Sequence, residues 1–174
     1  VLAMFLLGRE LYDYKAGLFS ALFLATIPAF INRTSAGIIE KEAAIAPLMI
    51  FTLFFFVKAF KTNNWKYGVI SGLFLALTSM SSAIAQYFHG ILAIFTLGLL
   101  VLNKNHENLM KSYFPAVGVG LLLPPLVTAH NISILSLELA PVIFSLVVLA
   151  LTGIRSSFDR FNLIKKEYLP YLAP

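Results

Sequence analysis

The sequence contains no cysteine and very little charge. Only 12% of its 174 residues are Asp, Glu, Lys or Arg, whereas an average soluble domain has roughly 25%. The absence of cysteine excludes disulfides, thiolate metal sites and cysteine nucleophiles. The hydrophobic fraction is 59% and the mean hydropathy is +0.86. A water-soluble fold is excluded because it could not cover so much apolar surface, and the predicted solvent is lipid.

Long apolar runs divide the chain into helices of membrane-spanning length. A spanning helix needs about 20 mostly apolar residues, and these runs are too long and too uniformly apolar for barrel strands. A partial helix ends near Leu7, and six further helices are predicted at Ala16 to Ile31, Ala43 to Val57, Tyr67 to Ile84, Ala85 to Leu102, Tyr113 to Thr128 and Leu139 to Ile154. The predicted fold class is all-α, a polytopic transmembrane helical bundle. We expect residues 1–174 to be a transmembrane-domain fragment of a longer protein, because the chain opens within an apolar run.

Lys and Arg fall almost entirely on one side of this topology. When the connections are assigned to alternating sides, one side receives only Arg33 and Lys41. The other side receives Arg9, Lys15, Lys58, Lys61, Lys66, Lys104, Lys111, Arg155, Arg160, Lys165 and Lys166. The basic side is predicted to face the cytoplasm and the lipid headgroups. The net charge of +5 therefore indicates contact with membrane lipid and no nucleic-acid partner.

The predicted external stretch INRTSAGIIEKEAAIAP, residues 31–47, concentrates polar residues between two apolar helices. One interpretation is local: Glu40 and Glu42 precede a helix whose dipole favours acids by about 0.3–1 kcal/mol each, and Arg33 snorkels to headgroups or pairs with Glu40. The other is a site for Mg²⁺ or Mn²⁺, which prefer carboxylate oxygens. Residues at i and i+2 share a side in an extended or turning loop. Two glutamates cannot complete a roughly six-coordinate shell, so further ligands would come from elsewhere.

The stretch NRTSAGIIEKEAAIAPLMIFTLFFFVKAFKT resembles the catalytic subunit of oligosaccharyltransferases, the STT3 family, and its archaeal-type forms in particular. That family carries an Arg-(Ser/Thr)-x-(Ala/Ser)-Gly-x-x-Asp-x-(Glu/Asp) motif on an external loop. The motif positions correspond to Arg33, Thr34, Ala36, Gly37, Glu40 and Glu42. Glu40 stands where the family usually has aspartate. The later stretch SGLFLALTSMSSAIAQYFHG resembles the family's next helical pair, although its usual Trp-Gly-Gly element is missing.

The resemblance implies a metal-dependent, inverting membrane glycosyltransferase with the GT-C fold. Such an enzyme transfers an oligosaccharide from a dolichyl or polyprenyl phosphate or diphosphate to Asn of an Asn-x-Ser/Thr sequon in a polypeptide. Glu40 is the expected ligand of Mn²⁺ or Mg²⁺, Glu42 its neighbour at the metal and acceptor, and Arg33 a supporting contact. The expected location is a multi-pass protein of an archaeal cell membrane, with this loop outside. The family's first acidic loop and its C-terminal soluble domain are not present in these residues, so the fragment alone is expected to be inactive.

Three other interpretations remain open at this point. A different GT-C transferase would use a lipid-phosphate sugar with another acceptor. A polytopic transporter or flippase would need polar groups that converge at the bilayer midplane, and no Asp, Glu, Lys or Arg lies near the middle of a predicted span. A non-catalytic scaffold would leave Glu40 and Glu42 as solvent-facing residues at a helix start. His89 lies within a predicted span, where an interhelical hydrogen bond is the favoured interpretation.

Overall fold

Helices and short turns make up the whole described part of the chain. In the computed structural model these residues are 1–34, 41–82, 85–102 and 106–128, together with 143–145, 147–148, 150–151 and 153–154. The helices are α1 (Leu2–Leu11), α2 (Tyr14–Thr26), α3 (Pro28–Thr34), α4 (Lys41–Thr62), α5 (Trp65–Ser81), α6 (Ala85–Val101) and α7 (His106–Thr128). The described residues between 143 and 154 are also helical. The predicted all-α class is confirmed.

The helix predicted from Ala16 to Ile31 is interrupted, so that prediction is wrong in this respect. Helix α2 ends at Thr26, Ile27 is extended with ψ 117°, and α3 begins at Pro28. Proline has no N–H to donate to the preceding turn, and its ring forces the residue before it out of the helical region. The chain therefore changes direction at Ile27, before the motif begins.

Most of the described helices extend beyond their predicted bounds into polar residues, and α4 and α7 extend furthest. Helix α4 runs from Lys41 to Thr62 and contains Pro47, and α7 begins at His106, seven residues before the predicted start at Tyr113. Pro124 and Pro125 lie within α7 without ending it. Hydropathy locates the apolar part of a helix, whereas the helical backbone continues wherever its hydrogen bonds can be completed.

The tightest packing in the bundle joins α5 and α7, which run parallel. A Cβ added to Gly68 would lie 2.9 Å from the carbonyl oxygen of Lys111. A Cβ on Gly72 would lie 2.7 Å from that of Ala116 and 2.7 Å from Cβ of Val119. A side chain at Gly68 or Gly72 would therefore push the backbones of α5 and α7 apart. Small residues allow such an approach where lipid provides no hydrophobic drive for helices to associate.

Helix α4 packs antiparallel to α5 on the other side of this pair. The hydroxyl of Ser71 donates to the backbone oxygen of Thr52 at 2.8 Å, and both residues are fully buried. Three rings stack along the same interface: the centroid of Phe74 lies 5.2 Å from that of Phe51 and 5.5 Å from that of Phe55. The hydrogen bond fixes the register of α4, and the rings fill the space beside it.

The turns at the basic end of the bundle are joined by direct contacts. The ammonium of Lys61 donates to the backbone oxygens of Glu10 and Leu11, which connects the end of α4 to the end of α1. Asn108, near the start of α7, donates to the backbone oxygen of Phe60 at 2.9 Å. The described basic residues of this end are Arg9, Lys15, Lys58, Lys61, Lys66 and Lys111. Their predicted grouping is confirmed, and the other five predicted members lie outside the described residues.

Two of the described helices are long and apolar enough to cross a membrane, at Ala44–Thr62 and Asn108–Val127. The core helix of a soluble protein can have the same length and hydropathy, and the two cases differ in burial. Only 28% of each span is buried inside the bundle, however. A core helix of a soluble protein would be mostly buried, so the exposed apolar surface of both helices fits a lipid environment better than water.

The α5–α7 contact generates a stability prediction. Gly72→Ala places a methyl group against the backbone of α7, which cannot move aside without parting the helices. We expect destabilisation of about 1–3 kcal/mol, seen as a lower midpoint of thermal unfolding in detergent. Gly90→Ala is the matched control, because a Cβ at Gly90 meets nothing within 4 Å. It should leave the midpoint unchanged or raise it, since alanine is the better helix former. Equal midpoints for Gly72→Ala and the wild type would contradict the close approach.

Candidate functional site

Arg33 lies on α3, the short helix created by the break at Pro28. The helix starts with bonds from the backbone N–H of Phe30 and of Ile31 to the oxygen of Ile27, at 3.0 and 3.1 Å. Asn32, the residue before Arg33, is exposed. The structure describes the backbone of Arg33 and not its side chain. What it establishes is that the first motif residue sits on a separate helical segment and not on a continuation of α2.

The two predicted carboxylates differ in what the structure shows of them. Glu40 lies outside the described residues. The backbone of Glu42 is described and is already helical, because α4 includes Lys41 and everything after it to Thr62. The helix predicted to begin near Ala43 is described from Lys41 onwards, within the usual one to two residues for a helix end. Glu42 lies in the first turn of α4. That the two carboxylates share one side stays a prediction, because Glu40 is outside the described residues.

The helices that carry the two ends of the motif contact each other. Helix α3, which carries Arg33, contacts α4, which carries Glu42, and residues 35–40 connect them. This end of α4 is remote from the basic end, where Lys61 lies. A 22-residue helix is about 33 Å long, close to the thickness of about 30 Å of a bilayer's hydrocarbon core. Glu42, at the start of α4, and the six described residues of the basic end thus lie at opposite ends of the bundle.

The donor chemistry of this end suits a hard divalent cation. Glu40 and Glu42 would supply carboxylate oxygens, the ligand type that Mg²⁺ and Mn²⁺ prefer. Within the part of the chain that the structure describes, no group of three or more His, Cys, Asp or Glu comes together. That Glu40 and Glu42 hold a metal together with ligands from other residues stays a prediction.

Sequence reasoning missed the residue that sets the direction of the motif's first helix. Pro28 lies five residues before Arg33, and the extended conformation it imposes on Ile27 ends α2. The signal was present, because a residue before proline disfavours the helical conformation. The proline signal was overlooked because apolar residues continue on both sides of Pro28, and such a continuous run predicts one membrane span.

His89 is buried where α6 meets the helical residues between 143 and 154. Its backbone oxygen accepts a bond from the hydroxyl of Ser145 at 3.4 Å, and the hydroxyl of Tyr113 on α7 donates to the backbone oxygen of Ser145 at 3.3 Å. These bonds link three helices. This bond is accepted by the backbone of His89, so the interhelical hydrogen bond expected of its side chain stays a prediction.

Comparison with known proteins gives a consistent family. Residues 1–169 match the family described as "Oligosaccharyl transferase STT3, N-terminal". Subunit STT3A of dolichyl-diphosphooligosaccharide–protein glycosyltransferase from Oryza sativa is 30% identical over 125 residues, which is 72% of this chain and 16% of that relative. The corresponding subunits of Saccharomyces cerevisiae and Caenorhabditis elegans are 25% and 29% identical, each over 64% of this chain and over 16% and 15% of the relative.

These relatives are eukaryotic, and an archaeal origin stays a prediction. The chain spans about one sixth of the length of each relative that it matches. The family match covers the motif at residues 33–42 and continues through α7. From Val1 to Leu169 the chain belongs to the STT3 family of oligosaccharyl transferases, in the N-terminal part of that family.

Proposed function

We propose that this chain is the motif-bearing membrane part of an oligosaccharyltransferase that glycosylates asparagine. The donor is an oligosaccharide on a dolichyl or polyprenyl phosphate or diphosphate, and the acceptor is a polypeptide with an Asn-x-Ser/Thr sequon. The single observation that carries the proposal is the family match over residues 1–169. The names of the curated relatives describe this donor class and a protein acceptor.

The chain's own residues would serve this reaction by placing charge at one end of the bundle. Arg33 and Glu42 lie on contacting helices, and Glu40 lies in the connection between them. Carboxylates there can hold the acceptor amide in position, and a guanidinium can hold a carboxylate or a phosphate. Positioning by rigid helices lowers the entropic cost of bringing donor and acceptor together.

Glu40, with Glu42 beside it, is proposed to hold Mn²⁺ or Mg²⁺. A divalent cation bound there would supply positive charge for the phosphate that leaves when its bond to the sugar breaks. Glutamate is one methylene longer than the aspartate usual at this position of the family, and it keeps the carboxylate that a hard cation requires.

The distribution of charge favours a transferase over a transporter or flippase. In the span Ala44–Thr62 the charged residues are Lys58 and Lys61, and in Asn108–Val127 the one charged residue is Lys111. All three lie near the basic end of their spans, and the middle of each span carries no charge. An ion-coupled transporter generally needs charge near the midplane.

Glycan transfer should depend on the carboxylate of Glu40. In an assay of the full-length protein with a lipid-linked glycan and a sequon peptide, we expect Glu40→Gln to lower metal-dependent glycopeptide formation by about 100-fold or more, because the charge that attracts the cation is removed while the shape is kept. Glu10→Gln, at the opposite end of the bundle, is the matched control and should transfer normally. Normal transfer by Glu40→Gln would return this residue to the role of a helix-start acid. Absence of transfer by a folded wild-type protein with a matching donor would sink the enzyme proposal.

The break at Pro28 should also matter for transfer. Pro28→Ala restores an N–H and frees Ile27 to become helical, so α2 can continue into α3 and turn the motif away from its position. We expect transfer to fall at least about tenfold while the thermal midpoint stays near that of the wild type. Pro125→Ala is the control, because that proline lies within the continuous helix α7. Full activity of Pro28→Ala would show that the helix break does not position the motif.

The proposed sidedness can be measured directly because the chain has no cysteine. Thr62→Cys and Ser81→Cys place single thiols at exposed positions near opposite ends of α5. In intact cells, a membrane-impermeant maleimide should label Ser81→Cys, and it should label Thr62→Cys only after permeabilisation, as the excess of basic residues near Thr62 predicts. Labelling of both thiols from the same side would contradict a span between them, and reversed labelling would place the motif in the cytoplasm.

A further inference from the structure

The basic end of the bundle uses some of its charges internally. The ammonium of Lys61 donates to the last backbone oxygens of α1. The ammonium of Lys58 lies over two rings, 5.5 Å from the centroid of Phe54 and 4.8 Å from that of Tyr67. The charge of Lys61 is stabilised by backbone carbonyls and that of Lys58 by aromatic rings, so both side chains contribute to the packing of the bundle.

Three other basic side chains at the same end are exposed and have no recorded hydrogen bond or ion pair within the described residues. They are Arg9 at the end of α1, Lys15 at the start of α2 and Lys66 at the start of α5. We call this group the basic collar. The described acids nearby do not neutralise it: Asp13 accepts the N–H of Ala16 at 2.7 Å as the cap of α2, and Glu10 forms no recorded ion pair.

Each residue of the basic collar lies close in sequence to an exposed aromatic side chain. Tyr12, Tyr14 and Trp65 are 85%, 60% and 56% exposed. Aromatic rings with a polar edge are enriched at the level of lipid headgroups, where the ring remains in the apolar layer and the polar edge reaches water. Below Lys15, the exposed surface of α2 is apolar and consists of Leu18, Phe19, Leu22 and Phe23. A charged rim thus lies above a surface suited to acyl chains.

We propose that the basic collar is a binding surface for anionic lipid, with Arg9, Lys15 and Lys66 holding phosphate headgroups. The partner is a lipid and not a soluble anion, because the apolar face of α2 continues directly below Lys15 and offers nothing to a free phosphate. Cationic side chains near an anionic membrane surface attract it additively. The proposal rests on the membrane location proposed above, and it is independent of glycan transfer.

Trp65 makes the binding measurable, since it is the single tryptophan of the sequence and adjoins Lys66. The full chain in detergent is titrated with short-chain phosphatidylglycerol and, separately, with short-chain phosphatidylcholine, while tryptophan emission is recorded. We expect a saturable change at phosphatidylglycerol concentrations at least about tenfold below those needed with phosphatidylcholine. Added salt should weaken binding of the anionic lipid, and inorganic phosphate should not displace it.

Two triple variants separate charge from structure. Replacement of Arg9→Gln, Lys15→Gln and Lys66→Gln together should abolish the preference for phosphatidylglycerol. The matched set Arg9→Lys, Lys15→Arg and Lys66→Arg keeps every charge and should retain the preference. The thermal midpoints of both variants report whether they fold, and the salt dependence of the wild type tests the same charges if the glutamine variant does not.

The outcomes that overturn the basic collar are specific. Equal affinity for the two lipids, or an unchanged preference in a folded glutamine variant, shows that these charges do not select anionic lipid. Displacement of phosphatidylglycerol by a soluble poly-glutamate peptide assigns the surface to an acidic polypeptide instead. None of these titrations contains a glycan donor or a sequon, so failure here leaves the proposed transferase activity untouched, and inactivity in the transfer assay leaves this result untouched.

Discussion

The contact of α5 with α7 is the constraint on which the rest of the bundle depends. At Gly68 and Gly72 the two backbones approach so closely that a methyl group would meet carbonyl oxygens. In lipid, apolar side chains gain nothing by leaving their solvent, so close packing and hydrogen bonds must hold helices together. The bond from Ser71 to Thr52 then attaches α4 to the same pair. The position of α4, and with it the backbone position of Glu42 in its first turn, follows from these small and hydroxylated residues.

Helix α4 separates two kinds of surface by the thickness of a membrane. At its beginning lie Glu42 and the connection to α3, and at its end Lys58 and Lys61 hold the fold together through rings and carbonyls. Chemistry on a lipid-linked substrate needs charge above the hydrocarbon layer, and stable insertion needs basic and aromatic residues on the other side. Both requirements are met by one helix because charge is confined to its ends and its middle is apolar.

The sequence alone was sufficient for the fold class and for the grouping of the basic residues. A long, uniformly apolar run in lipid must be helical, because only a helix completes its backbone hydrogen bonds within one segment. The uneven distribution of Lys and Arg then shows which connections lie on the same side of the membrane. It was not sufficient for the break at Pro28, where apolar residues on both sides masked a local backbone restriction. Nor did it show that α4 already includes Glu42, because hydropathy is insensitive to where a polar helix end begins.

The contacts of individual side chains could not be predicted from the sequence, for a different reason. Lys58, Lys61 and Lys66 are indistinguishable in the sequence. In the structure, Lys58 lies over aromatic rings and Lys61 donates to the end of α1, whereas the side chain of Lys66 is exposed and makes no hydrogen bond or ion pair within the described residues. Which lysine bonds to the end of α1 depends on how α1 packs against α4. That is a tertiary contact, and no local sequence pattern predicts it. For the motif, the roles of Arg33, Glu40 and Glu42 stay predictions from family resemblance.

The placement of polar groups within the bundle gives the strongest physical argument about function. Among the described residues, the buried polar side chains Thr52, Ser71 and Thr96 donate to backbone oxygens, within their own helix or on the neighbouring one, so these three serve packing and do not line a polar path across the membrane. A transporter requires such a path to stabilise its cargo at the midplane. A transferase that acts on a lipid-linked substrate requires a rigid apolar scaffold with charge at one rim. The described helices form an apolar scaffold, and Arg33 and Glu42 lie on contacting helices at one end of it, as the proposed transferase requires.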